Sequence, residues 1–438
     1  MRTRPLTKIW ESIADRGREI LVARRGARRS RSLVRLCRDL LSEPGEASSM
    51  ALARELLRRY EAMAEDQKLR FFTMLGRTFS PDVDAVNRAA DAYRATPSPE
   101  TLLELSRAVE PPRQELIRRI NMAPRGTPAI VAMREDLLRL LPIHLELQVV
   151  DADFEHLLRS WFNRGFLELQ RIDWRTPAIL LEKLFEYEAV HEIRGWADMR
   201  RRLETDRRCF AFFHPALPDE PLIFVEVALV EALSDSIAPL LDSASATGDP
   251  DRARVAVFYS ISNCQDGLRG ISFGSFLIKQ VVTELAAELP RLKTFATLSP
   301  VPGLRRWLAK ELDGEDHGLT PVEIELLGDL EATGWHRESA KAESFRELLV
   351  RSCARYLLEA KAGDEPLDPV ARFHLGNGAS VQRINWLADT SAKGLRQSAG
   401  IMVNYAYRPK QIERNHEAYF KSGRVAASPA IRALIRKK

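Results

Sequence analysis

Cysteine is scarce in this 438-residue chain: Cys37, Cys209, Cys264 and Cys353 are all it has. They stand apart, with no CxxC pair and no histidine at ligand spacing. That excludes a zinc knuckle and a disulfide framework, and it fits a reducing compartment. Long apolar runs are missing too. The strongest, Leu222 to Val230, is broken by Glu226 and is far shorter than the roughly 20 residues a membrane-crossing helix needs. No Gly-Lys-Ser/Thr and no GxGxxG fingerprint occurs, so neither a Walker loop nor a dinucleotide-binding turn is present. A decisive excess of one charge is also lacking. Lys and Arg total 66 against 61 Asp and Glu, a net charge of +5, which implies no nucleic-acid partner without a concentrated basic face.

What remains is 45% hydrophobic and 29% charged, the composition of a globular protein with real cores, and the length predicts two or three domains. The positive charge gathers at the start, where residues 1–40 hold twelve Lys and Arg against four acids. Ile9, Trp10, Ile13, Ile20 and Leu21 recur there at helical spacing, interrupted by Glu11, Asp15 and Glu19. This reads as an amphipathic helix with a solvated face rather than a transit peptide. The final Ile435-Arg436-Lys437-Lys438 is not a Ser-Lys-Leu peroxisomal signal. A cytoplasmic, bacterial protein with no membrane partner is expected.

Up to about residue 165 the apolar period is helical. Ser80-Pro81, Ser98-Pro99 and Thr127-Pro128 each place a hydroxyl at an N-cap and proline at the first helical position, which predicts three helix starts. Leu52, Leu56, Leu57, Tyr60 and Met63 share one face, and Met133, Leu137, Leu138, Leu140 and Leu141 lead up to Pro142. Residues 1–162 are therefore expected to form an all-α bundle serving oligomerisation, with no chemistry of its own. His144 and His156 read as surface or structural residues. Residues 163–438 form the second domain, with helices continuing through Leu203 and strands only afterwards. Cys209 to Phe213 and Leu222 to Val230 read as a hairpin, and Arg254 to Ile261 as a third strand.

That strand runs into Gln265-Asp266-Gly267-Leu268-Arg269-Gly270-Ile271-Ser272-Phe273-Gly274-Ser275, followed by the helical stripe Phe276, Leu277, Val281, Val282 and Leu285. A glycine-punctuated loop opening a helix can hold a phosphate on backbone N–H groups and the helix dipole. As a bare pattern it is also an ordinary turn. A further strand, Thr294 to Leu298, leads through Ser299-Pro300-Val301-Pro302-Gly303 to a helix at Leu304. The order hairpin, strand, glycine loop, helix, strand, helix resembles the acyl-CoA-binding core of the GNAT acetyltransferase fold. In that fold the pyrophosphate sits on the loop and the pantetheine arm lies between two splayed strands. The expected class is thus α+β multidomain, an all-α bundle followed by a GNAT-like α/β domain.

Three passages make a closer match: Phe295 to Gly303 (FATLSPVPG), Phe373 to Ala379 (FHLGNGA) and Arg383 to Asp389 (RINWLAD). With Phe258 to Ser262 (FYSIS), Phe276 to Lys279 (FLIK) and Asn404 to Tyr407 (NYAY), they resemble signatures of the malonyl-CoA decarboxylase family. The resemblance covers most of residues 170–425 and implies a catalytic serine at Ser299 and a catalytic histidine at His374. It also implies a malonyl-CoA-binding loop over Arg269, Gly270, Ile271, Ser272, Phe273, Gly274 and Ser275, with Ile278 on the first turn of the following helix. Tyr407 is carried as a pocket residue. Animal relatives tend to have glutamate where this chain has Ser272, so any role of that acid does not transfer here. The family forms oligomers, which implies a homodimer or homotetramer.

The implied chemistry suits these residue types. Losing CO2 from a malonyl thioester leaves an enolate that needs oxyanion donors and a proton at C2, and it requires no biotin, metal or pyridoxal, so no cofactor is expected. A Ser/His pair can orient the carboxylate and relay the proton, and the residues alone do not say which of the two protonates carbon. By themselves, a serine before proline at a strand end is usually a turn initiator and a lone histidine before Gly-Asn-Gly is usually structural. His191, His214, His317, His336 and His416 have no carboxylate or motif context and read as structural or exposed. Two other functions compete: an acyl-CoA-dependent acyltransferase using the same CoA site, and an inert acyl-CoA sensor. The FHLGNGA match argues against the first, and retention of both Ser299 and His374 argues against the second.

Overall fold

Apolar residues three and four apart bury one face of most helices in the N-terminal part of the computed structural model, whose described residues are 32–271, 277–312, 320–332 and 334–436. The helix read over Ile9 to Leu21, loop residues Ser272, Phe273, Gly274 and Ser275, and His317 lie outside the described residues. The chain divides into two units. The first takes the described residues within Met1–Phe166 together with His214–Pro218 and Gln265–Ser272, and the second takes Leu167–Phe213, Asp219–Cys264 and Phe273–Lys438.

The helices of the first unit are α1 (Leu33–Ser42), α2 (Glu46–Glu61), α3 (Glu65–Thr78), α4 (Val83–Ala95), α5 (Pro99–Val109), α6 (Pro112–Asn121), α7 (Gly126–Leu140) and α8 (Gln148–Trp161). Leu52, Leu56, Leu57 and Tyr60 of α2 are buried as their spacing predicts. Tyr60, Phe71, Phe72 and Phe154 form a chain of edge-to-face rings with centroids 5.3 to 6.4 Å apart. Of the three predicted helix starts, Ser98 is an N-cap with Pro99 first in the helix. The other two are displaced. Asp82 caps α4 through Ala85 N (2.8 Å), because the Ser80 hydroxyl is spent on the Gly76 carbonyl at the end of α3. Thr127 and Pro128 lie inside the first turn of α7, which begins at Gly126 after the left-handed Arg125. A side chain at Gly126 would run into the Ile120 and Asn121 carbonyls.

The second unit is built on one sheet. Its strands are β1 (Glu168–Ile172), β2 (Arg207–Phe213), β3 (Ile223–Val230), β4 (Val255–Asn263), β5 (Thr294–Thr297), β6 (Ser299–Pro300), β9 (Ser380–Asn385) and β10 (Met402–Ala406), with β7 (Lys361–Ala362) and β8 (Glu365–Pro366) forming a separate two-residue hairpin. The strand β1 precedes the helices α9 (Ala178–Tyr187) and α10 (Trp196–Arg202), correcting the expectation that strands begin only after Leu203. Its sequence, ELQRI, is polar because it is an edge strand paired only to β2. The remaining helices are α11 (Leu277–Glu288), α12 (Leu304–Leu312), α13 (Pro321–Gly328), α14 (Ser339–Leu358), α15 (Pro369–Gly376), α16 (Ala392–Ser398), α17 (Ile412–Ser422) and α18 (Pro429–Arg436).

The predicted β2–β3 hairpin is antiparallel, and β4 joins β3 antiparallel and β5 parallel, with α11 as the crossover helix. The helical bundle followed by a mixed sheet with this strand, loop and helix order is the expected fold class. Two details shape the middle of the sheet. Glu226 pairs with Ser260 while Val227 pairs with Phe258, which leaves Tyr259 as the extra residue of a bulge. The parallel pairing ends at Phe258 and Thr297. Beyond that point β6 prolongs β5 in the same register along β10, as Ser299 pairs with Val403.

Candidate active site

Residues two apart on a strand share a face, and so Thr297 and Ser299 point the same way at the place where β5 passes into β6. Ser299 Oγ donates to Thr297 Oγ1 (2.8 Å) and lies 3.0 Å from His374 Nε2. The His374 Nδ1 atom is 2.8 Å from the Tyr407 hydroxyl. A hydroxyl has one proton. With that of Ser299 given to Thr297, the assignment that satisfies every contact puts a proton on Nε2 and lets Nδ1 accept from Tyr407. The chain is then Tyr407 to His374 to Ser299 to Thr297, each group donating to the next. Ser299 is 6% exposed and His374 3%. Burial holds the imidazole down to about 3, so His374 is neutral, and burial pushes the Tyr407 hydroxyl well above its usual range.

The motif residues around this chain hold it in place. Asn404 donates to the Thr297 carbonyl (2.7 Å), and its own Oδ1 accepts from Arg383 Nε (3.0 Å) and Asn385 Nδ2 (2.9 Å). The RINWLAD and NYAY passages are therefore one polar cluster behind the serine strand. Tyr405 stacks on the His374 ring at 4.6 Å, and its backbone N–H donates to Thr297 Oγ1 (3.1 Å). His374 rides in the last turn of α15, whose N-cap is the buried Asp368, bonded to Ala371 N at 2.8 Å. Desolvation raises the Asp368 carboxyl to about 6, against the cap bonds that lower it. After the histidine, Gly378 turns the chain with φ +83°, and any β-carbon there would strike the Ile412 carbonyl.

The described part of the glycine loop belongs to the first unit, and a buried arginine of α7 anchors it. Arg134 Nη1 donates to the carbonyls of Gly267 (3.0 Å) and Arg269 (2.8 Å), while its Nε is paired with Asp151 (2.8 Å). Gly267 packs so tightly on α7 that a β-carbon would collide with the Val131 carbonyl, and Gly270 has φ +81°. Arg269 is exposed and paired with Asp266 (2.9 Å), and Ile271 is buried. Ile278 is fully buried on α11. The bundle was read as free of chemistry. Arg134 gives it the task of shaping this loop.

Thus Ser299, His374 and Tyr407 come together, joined by Thr297, Tyr405 and Asp368, which sequence reading did not single out. Only Thr297 left a signal, its i, i+2 relation to Ser299. Elsewhere, Glu188 accepts from both Ser260 (2.8 and 2.7 Å) and the backbone of Val190 and His191 (2.8 Å each), tying the FYSIS passage of β4 to the end of α9. Of the other histidines, His416 bonds the Gly376 carbonyl (2.7 Å), His214 packs on Phe162, and burial lowers His191 to about 4. Among the described residues no group of three or more His, Cys, Asp or Glu is placed to hold a metal, and no helix is long and apolar enough to cross a membrane.

Comparison with known proteins agrees with the motifs. A family model described as the malonyl-CoA decarboxylase C-terminal domain matches residues 165–438, and one for the N-terminal domain of that family matches 79–162. The mitochondrial malonyl-CoA decarboxylase of Mus musculus is 37% identical over 353 residues, covering 75% of this chain and 72% of the mouse protein. The crystal structure of malonyl-CoA decarboxylase from Rhodopseudomonas palustris superposes with a TM-score of 0.90 at 53% identity, over 92% of this chain and 98% of that one. That from Agrobacterium vitis gives 0.87 at 52% identity, over 92% and 100%. The chain belongs to the malonyl-CoA decarboxylase family.

Proposed function

We propose that this protein converts malonyl-CoA to acetyl-CoA and CO2, with the chemistry at Ser299, His374 and Tyr407. The observation that carries this reading is the buried chain of hydrogen bonds from the Tyr407 hydroxyl through the His374 imidazole to the Ser299 hydroxyl and on to Thr297. Heterolysis of the bond from C2 to the carboxylate leaves its electron pair on C2, delocalised into the thioester enolate, and releases CO2. In this relay the proton reaches C2 from the Ser299 hydroxyl, which turns from Thr297 Oγ1 toward the substrate. Nε2–H restores the serine proton, and Nδ1 takes the Tyr407 proton. The enolate is a far stronger base than a tyrosinate, which keeps the relay downhill even with Tyr407 held above its usual range. Solvent returns the missing proton to Tyr407 after turnover. The same reading gives the CoA phosphates to the loop over Arg269 to Ser275, with Ile278 on the helix that follows.

The experiment is release of labelled CO2 from carboxyl-labelled malonyl-CoA with no acyl acceptor present. Wild-type protein releases it. Ser299→Ala and His374→Asn lower kcat by about 10²–10⁴-fold, the span of general acid–base catalysis, with CoA binding unchanged. Acyl transfer to an amine without CO2 release would replace this reading by that of an acyltransferase.

Self-association belongs to the same proposal. Helices α4 and α5 have no buried residue, and Val83 (71% exposed), Leu102, Leu103 and Val109 stand open on them. An apolar helical surface of this kind supports a homodimer or homotetramer. Light scattering of Leu102→Glu/Leu103→Glu against wild type tests it, a smaller mass being expected for the variant. Four buried, free thiols support a reducing, cytoplasmic setting.

A further inference from the structure

In the second unit a cavity of about 450 Å³ opens between β9, α17 and α18. Its wall carries four arginines, Arg408, Arg414, Arg424 and Arg432, and no carboxylate. Like charges converging on one hollow repel each other, so a basin of this composition is unfavourable unless a counter-charge fills it. Among the described residues none of the four arginines makes an ion pair. Arg408 donates to Gln382 Oε1 (3.0 Å) and Arg432 to the Val425 carbonyl (2.8 Å), while the Arg414 and Arg424 guanidinium groups make no hydrogen bond to a described residue. The acids of α17 are committed elsewhere: Glu413 pairs with Lys279 (2.5 Å) and Glu417 with Lys421 (2.7 Å). The first turn of α18 also opens here, with Ser428 and Pro429 in the wall and Ile431 N donating to Ser428 Oγ (3.3 Å), which adds the positive end of a helix to the four cations.

We propose that this basin binds a compact, multiply phosphorylated small molecule. Guanidinium forks match phosphate oxygens two at a time, and the volume lies within the roughly 300–1,000 Å³ of small-molecule sites. The wall has no aromatic ring to stack a base, and its apolar part is Ala418, Ala426, Ala427 and Pro429, so the anionic groups rather than a nucleobase are what it recognises. Occupancy bears on the active site through the chain itself. Arg408 follows Tyr407, and Gln382, its partner, follows Val381, which pairs with Tyr405. An anion that draws Arg408 off Gln382 pulls on the segment that holds the Tyr407 hydroxyl against His374.

The test uses inorganic pyrophosphate as probe, titrated calorimetrically into the full chain and into Arg414→Ala/Arg424→Ala. Wild type binds it saturably, and the variant binds at least about tenfold more weakly with an unchanged melting temperature. A wild-type chain that binds no pyrophosphate at millimolar concentration, or equal affinity in the two proteins, overturns the site. Arg414→Lys/Arg424→Lys, which keeps charge but loses the fork, falls between them. The anion has two possible sources, the phosphates of the CoA substrate or a separate phosphorylated metabolite, and KM values in the alanine variant separate them. A rise for malonyl-CoA but not for malonyl-pantetheine assigns the site to substrate. With both KM values unchanged, pyrophosphate shifting kcat in wild type and not in the variant assigns it to a separate ligand; a shift in both proteins overturns the link to Tyr407.

Discussion

The Tyr356 hydroxyl of α14 occupies the space that a β-carbon on Gly303 would need, and its Cζ stands 3.2 Å from that same point. The glycine that closes the SPVPG passage is therefore dictated by a side chain more than fifty residues away. Gly303→Ala is expected to destabilise the protein by about 1–3 kcal/mol through overpacking and to lower turnover, since it displaces the turn that follows Ser299. Adding Tyr356→Phe removes the clashing oxygen and should restore part of the loss. Urea unfolding of the two single variants and the double variant measures this, and a double variant no more stable than Gly303→Ala alone would count against the contact.

The two glycines of FHLGNGA are predicted to behave differently. Gly376 ends α15 in open packing, where an added β-carbon meets only Phe420 and Tyr419 at ordinary distances of 3.8 and 3.9 Å. Gly376→Ala should be neutral or stabilising by about 0.4–1 kcal/mol. Gly378→Ala meets both a positive φ and the Ile412 carbonyl, and it should cost more than about 2 kcal/mol together with most of the activity, because it moves the residues behind His374. Thermal melts and CO2 release rank the pair.

Neutral His374 sets a pH dependence of definite sign. Its folded value of about 3 lies below the unfolded 6.5, so the unfolded chain binds the extra proton between those values. This group's contribution to stability is complete above about pH 6.5 and falls as the pH drops toward 3. His374→Gln should flatten that part of the stability curve. The profile of kcat/KM should accordingly show no inflection near 6.5 arising from His374. An inflection there that vanishes in the variant would overturn the neutral assignment.

Arg134 is predicted to act on substrate binding. Arg134→Gln releases two loop carbonyls and leaves Asp151 without its cation, so KM for malonyl-CoA should rise several-fold with a smaller change in kcat. Limited proteolysis should cut sooner between residues 265 and 272. Arg134→Lys, which cannot reach both carbonyls and Asp151 at once, should restore little.

Much of the element order was legible in the chain because it depends on local pattern, and the motif resemblance singled out Ser299 and His374 as the candidate pair. Helical spacing marked the bundle, short runs rich in apolar residues marked β2, β3 and β4, and the short motifs around Ser299 and His374 pointed to a family that the comparisons bear out. Helix starts were legible only where the nearest hydroxyl was not needed elsewhere, as Ser98 shows and Ser80 does not. The rest was decided in three dimensions. That Thr297, Tyr405 and Tyr407 complete the chain through His374, that Asp368 caps the helix carrying it, and that Gly267 lies against α7 under the grip of Arg134 are contacts between distant positions. Composition and periodicity describe which residues will be buried. They say nothing about which buried polar atoms will meet, and in a desolvated site that pairing is what decides where each proton sits.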